Sequence, residues 1–209
     1  MFKKKDKTVY VVSGFMRTGT SMMMKALDKG GMKTVSQKAR NKMKDRYADK
    51  DYNPNIGGLY ELTRENYLKP GFPKKYEGKL LKALNMENKR PTGVGKSFEV
   101  MPHGIRVVFM RRDPEEIRQS YNAFFGRQLP EQQIKKLNET LDKCVVRIKN
   151  RKDVKSCHVF WFREVIKNPL KHFQILEMAG WPIKPAKCAK VVDSKHVRYK
   201  EENLTKGVL

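Results

Sequence analysis

Two clusters of residues in this 209-residue chain have the types and spacing to handle phosphate-like groups. The first is Ser13-Gly14-Phe15-Met16-Arg17-Thr18-Gly19-Thr20-Ser21. Its two glycines bracket an arginine and lead into hydroxyl residues that open a helix. Such a loop turns backbone N–H groups inward, and the helix dipole adds a positive end. The second is Arg112-Asp113-Pro114-Glu115-Glu116-Ile117-Arg118-Gln119-Ser120, an arginine with a hydroxyl two helical turns further on. If both face one mouth, they bind a second phosphate group. Lys96 and Ser97 stand in the string Gly93-Val94-Gly95-Lys96-Ser97, read as a short strand that delivers them to the ligand side. Arg90 occupies the place where a full nucleotide loop would need its leading glycine. Glu61 follows Gly57-Gly58 and lies between Tyr60 and Leu62. It is either a general base or the first-turn acid of a helix through Asn66 and Leu68.

Gly14 and Gly19 have the spacing of the nucleoside-triphosphate loop G-x-x-x-x-G-K-[ST], with one departure. Thr20 stands where the lysine belongs, and the cation is Arg17, inside the loop. Without that lysine the loop lacks its main contact to β- and γ-phosphates. The departure points to a different phosphate-bearing ligand.

These groups need elements to hold them. Val9 to Val12 reads as a buried strand, and the helix from Thr20 ends at Gly30-Gly31. Met32 to Val35 reads as a short strand. Ser36 to Asp51 is polar, basic and weakly periodic, a loop or an irregular helix. Tyr76 to Asn85 is predicted to be a helix with Leu80, Leu81 and Leu84 on one face. Ile105 to Met110 is a strand, followed by a helix from Glu115 to Phe125. Asp113 is the cap of that helix and Pro114 its first residue. Ile134, Leu137, Leu141, Val145 and Ile148 mark an amphipathic helix after Pro130. A strand over Ser156 to Phe162 and helices over Pro169 to Ala179 and Pro185 to Val192 complete the pattern. Alternating strands and helices predict an α/β fold, a parallel sheet covered on both faces. The length suits a single domain over residues 1–209, with 36–90 shaping an acceptor pocket and 193–209 a basic tail.

Lys and Arg number 46 against 22 Asp and Glu, a net charge of +24. The lysines are spread along the chain, with no aromatic RNA-binding signature and no zinc-finger spacing. Nucleic acid is therefore not the expected partner, and a solubilising surface is. Cys144, Cys157 and Cys188 are odd in number and widely spaced, which fits free thiols in a reducing compartment. No apolar run reaches the roughly 18 residues of a membrane span. A cytoplasmic protein is expected.

The two clusters together resemble the cofactor motifs of PAPS-dependent sulfotransferases. The first resembles that family's 5′-phosphosulfate loop, and the second its 3′-phosphate motif. A third segment, Phe162-Arg163-Glu164-Val165-Ile166-Lys167-Asn168-Pro169, resembles its late strand-to-helix passage. The loop is most similar to that of compact bacterial-type members. The resemblance implies a three-layer sandwich around a parallel sheet, of P-loop NTPase-like (sulfotransferase) type. It implies sulfuryl transfer from PAPS to a hydroxyl or amine acceptor, leaving PAP, with no metal. Arg17 then meets the bridging oxygen between phosphate and sulfate. Gly14, Thr18, Gly19, Thr20, Ser21 and Met22 match the cradle, Arg112 and Ser120 the 3′-phosphate pair, and Phe162 the late passage. Lys96 resembles a strand-end lysine of the animal enzymes. Their histidine base is replaced here by Phe98, so Glu61 is the candidate base and His103 the second. Their C-terminal basic motif is absent, and Arg198 or Lys200 is its candidate substitute. A monomer or homodimer is expected.

Two other classes stay open. A P-loop small-molecule kinase needs Mg²⁺ and an acidic residue ending an apolar strand, whereas Ile105 to Met110 runs into Arg111-Arg112. A non-catalytic polyanion binder would use the same fold and the +24 charge.

Overall fold

The computed structural model describes residues 7–35, 74–84, 104–126 and 128–192. Four strands form one parallel sheet: β1 (Val9–Gly14), β2 (Leu80–Leu84), β3 (Ile105–Arg111) and β4 (Val154–Trp161), in the order β2-β1-β3-β4. The helices are α1 (Thr20–Lys29), α2 (Pro114–Phe125), α3 (Glu131–Lys149), α4 (Phe162–Lys167), α5 (Pro169–Met178) and α6 (Pro185–Ala189). The fold is α/β, a central parallel sheet with helices on both faces.

Every residue of β1 is buried, as expected of a central parallel strand covered from both sides. Its alternate residues enter different cores. Tyr10 and Val12 join Val108, Met110 and Phe160 beneath α1, α5 and α6, where Trp181 packs on the Tyr10 ring with centroids 5.2 Å apart. Val9 and Val11 join Ile105, Val107 and Phe109 against Leu141, Cys144, Val145 and Ile148 of α3. Each such aliphatic side chain contributes about 1.5–3 kcal/mol on leaving water. A smaller cluster of Phe15, Ile117, Tyr121, Leu129 and Ile134 lies beyond the carboxyl end of β1, so Phe15 anchors the glycine loop between α2 and α3.

The helix expected over Tyr76 to Asn85 is instead a 3₁₀ turn at Lys74–Tyr76 followed by β2. Leu80 belongs to one core, while Leu81 and Ala83 belong to the other. A strand buried on both faces loses the period of two, and its apolar run then imitates a helical stripe. The strand read at Met32 to Val35 contracts to one bridge, Thr34 to Leu80. Residues 36–73, 85–103 and 193–209 lie outside the described residues, and with them the tail and all of the 36–90 acceptor-pocket region except 74–84. Among the described residues, no helix is long and apolar enough to cross a membrane.

The β2 assignment is testable at Ala83, which is fully buried here but would lie at the margin of the Leu80, Leu81 and Leu84 face on the helical reading. Ala83→Asp buries a carboxylate and should cost about 3 kcal/mol or more in urea denaturation, against about 1 kcal/mol or less at the margin of a helix. A second test uses His158 on β4, whose Nε2 is buried without a hydrogen-bond partner. Burial, then Lys149 and Arg106, holds its imidazole below the usual 6.5. The folded state therefore favours the neutral ring, and the unfolded chain takes up the proton first as pH falls. Stability should decline as pH drops through 6.5. Denaturation midpoints of His158→Gln should lack that part of the decline.

Candidate anion-binding site

The glycine loop leaves the carboxyl end of β1 with three backbone demands. Gly14 has φ +142°, and a Cβ there would lie 2.6 Å from the Met110 carbonyl oxygen of β3. Arg17 has φ +73°, the one non-glycine with positive φ among the described residues. Left-handed backbone at an arginine costs on the order of 1 kcal/mol or more and persists only where the surroundings enforce it. Gly19 has φ +94°, and a Cβ on it would lie 2.4 Å from the Phe162 ring.

Gly19 is the N-cap of α1 and offers no side-chain hydrogen bond. Helix geometry leaves the amides of Thr20, Ser21 and Met22 without intrahelical acceptors, while Met23 N–H donates to the Gly19 carbonyl at 3.1 Å. A capping side chain would have consumed one of those amides. Its absence leaves a positive helix end suited to an anion.

The structure brings the two sequence clusters together. Arg17 Nε donates to Ser120 Oγ at 3.0 Å, and Arg112 Nη1 donates to the Arg17 carbonyl at 3.2 Å. Arg112 Nε also donates to Glu116 Oε2 at 2.6 Å, and its guanidinium lies 4.5 Å from the Phe162 ring centroid. The Arg112–Glu116 pair is a buried one, both side chains being 7% exposed, and not a surface ion pair. Asp113 caps α2 by accepting from Glu115 N–H at 2.9 Å, which sets the helix carrying Glu116 and Ser120.

Several predicted residues have supporting positions. Thr18 is buried and donates its hydroxyl to the Phe15 carbonyl at 2.7 Å, closing the loop on itself. The Met22 side chain is in the core, so its amide is the group it can turn to a ligand. Phe162 is buried as a wedge between Gly19 and Arg112. Thr20 is buried with its methyl group toward Gly14. Glu61, Lys96, His103 and Arg198 lie outside the described residues.

Sequence reasoning missed Lys82 and Glu116. Lys82 is 4% exposed on β2, and its Nζ donates to Ser21 Oγ at 3.0 Å. It was hidden by the helical reading of its segment and by its place in a run of surface-like lysines. Recognising β2 as the parallel neighbour of β1 would have found it, because residues near the carboxyl end of such a strand reach the same mouth. Glu116 accepts from Arg163 of α4 as well as from Arg112, a contact across 47 residues that no local spacing signals. The mouth thus gathers Arg17, Lys82, Arg112 and Arg163 around one helix terminus.

No protein-family model matches the chain, and no curated protein matches it. Among solved structures it is similar to a gluconokinase from Sinorhizobium meliloti 1021, at 12% identity and a TM-score of 0.40 over 98% of this chain and 100% of that one. It is also similar to an unliganded sugar kinase from Janibacter sp. HTCC2649, at 14% identity and a TM-score of 0.42 over 83% of this chain and 98% of that one. Neither likeness assigns an activity.

The Gly19–Phe162 contact predicts a coupled effect. Gly19→Ala should cost about 1–3 kcal/mol, from left-handed strain and from a ring that cannot yield. Because Phe162→Ala removes the obstructing ring, the double variant should be less destabilised than the sum of the single ones in urea denaturation.

Proposed function

We propose that the chain transfers a sulfuryl group from PAPS to a hydroxyl or amine acceptor, releasing PAP without a metal ion. The observation that carries this reading is the junction of Arg17, Arg112 and Ser120. It joins the tips of β1 and β3, so one bis-phosphorylated nucleotide can meet both clusters. The α1 amides, Arg17 and Lys82 would hold the 5′ end, while the Ser120 side of the junction faces the 3′-phosphate. Charge developing on the leaving phosphate oxygen would be met by a fixed cation and by N–H donors that need no reorganisation. Removing one such donor typically costs about 3 kcal/mol of barrier. Glu61 or His103 would take the acceptor's proton as the new bond forms.

A second reading is a P-loop small-molecule kinase; the two similar structures are described as a gluconokinase and a sugar kinase. Lys82 beside Ser21 favours it, because that pair restores from a neighbouring strand the lysine and hydroxyl of a triphosphate loop. One feature supports sulfuryl transfer over it. Among the described residues, the carboxylate at this mouth is Glu116, and it is held between two arginines.

Thermal-shift measurements with PAP and with ATP plus Mg²⁺ separate the readings. PAP alone should raise the melting temperature, and ATP with Mg²⁺ should do so far less. The reverse order would establish the kinase, and no response to either would leave a polyanion binder. Arg17→Ala should lower transfer from PAPS about a hundredfold.

A further inference from the structure

We propose that the seam between β4 and α5 holds a chloride-sized halide ion on Arg106, Ser156 and His158, toward the amino end of β3 and away from the mouth described above. Arg106 Nε, Ser156 Oγ and His158 Nε2 are all buried, and none has a hydrogen-bond partner. A buried polar atom left unpaired is costly and calls for a cause. Three of them on one sheet face call for a shared one.

A shift in strand register brings them together. Ile105 pairs with Val154, but the next pair is Arg106 with Ser156, so Lys155 is skipped. An unshifted register would set Lys155 opposite Arg106, two like charges across neighbouring strands. Instead Lys155 Nζ donates to Thr8 Oγ1 at 2.7 Å, and a hydroxyl stands beside the guanidinium. His158 follows two residues on, so it shares the face of Ser156. From the other side, Arg106 Nη1 donates to the carbonyl of Ala179, the C-cap of α5. Gly180 comes so close that a Cβ on it would lie 2.6 Å from Arg106 Nη2.

Charge and hydrogen-bond count select the occupant. Among the described residues, no carboxylate pairs with Arg106. After burial, the groups that hold the His158 imidazole below its usual range are Lys149 and Arg106, both positive. Arg106 Nε can only donate, and the Ser156 hydroxyl and one tautomer of His158 donate as well. A water molecule accepts two hydrogen bonds and brings no charge. A halide accepts all three and neutralises the guanidinium. Because the three atoms are already closed off from solvent, a single-atom ion suits them better than sulfate or phosphate.

The test has two arms, both on the full chain. Crystals soaked in sodium bromide should show an anomalous peak among Arg106, Ser156 and His158. Melting temperatures are then followed as sodium chloride replaces sodium isethionate at constant ionic strength, so that screening of the +24 charge does not change. Chloride should raise the melting temperature saturably. Ser156→Ala removes one donor and no charge, and should raise the half-saturating chloride concentration about fivefold. Arg106→Gln should abolish the saturable rise, and if that variant does not fold, Ser156→Ala still decides. No peak at these residues, or a chloride response unchanged in Ser156→Ala, would overturn the proposal. A peak without any saturable rise would mark an adventitious ion only and would overturn it as well.

Discussion

The site depends on one buried guanidinium. Arg112 sits where β3 ends, almost fully out of water, and a charge in that position must be satisfied or the fold suffers. Its satisfaction is the architecture of the mouth. Glu116 comes from one turn into α2, the Arg17 carbonyl from the glycine loop, and the Phe162 ring from the start of α4. Two segments distant in sequence, the glycine loop and the start of α4, are thereby tied to one side chain. Removing a partner from such an ion typically costs about 3–5 kcal/mol, which gives the bracing a strength that surface ion pairs lack.

That bracing explains how the loop tolerates its own backbone. Arg17 in the left-handed region is unfavourable, and Arg112 holds it there through the carbonyl while Ser120 accepts from its side chain. Strain of this kind persists only where the surroundings enforce it, and here the Arg112 and Ser120 contacts do so. Close packing of parallel strands sets the rest. Gly14 lies against the β3 backbone, and Ser13 donates to the Ala83 carbonyl of β2 at 2.8 Å, so three strand tips meet within one loop.

The cations around this mouth come from several elements, where a triphosphate loop would carry its lysine within the loop. Arg17 comes from within the loop, Lys82 from the strand beside it, and Arg163 from the helix across it. Drawing charge from three elements makes the field at the α1 terminus a property of the assembled sheet. It also means that the net charge of +24 is not wholly a surface coat: among the described residues, Lys82 and Arg112 lie where water is largely excluded.

The sequence by itself determined the elements whose signals are local. Gly14, Gly19 and the hydroxyls declared a strand, loop and helix terminus, and Asp113-Pro114 declared the start of α2. The spacing of Ile134, Leu141, Val145 and Ile148 declared α3, and these elements form where expected. The glycines were legible because only a residue without Cβ suits those dihedrals and contacts. Tertiary structure alone decided which charges are buried. Lys82 and Lys79 are indistinguishable by type, yet the pairing of β2 with β1 hides the first, and the second stays partly exposed. Glu116 became a shared counter-ion because α4 returns to α2 after 47 residues. Charge burial depends on neighbours across the sheet, and no spacing within a segment encodes which strands those neighbours will be.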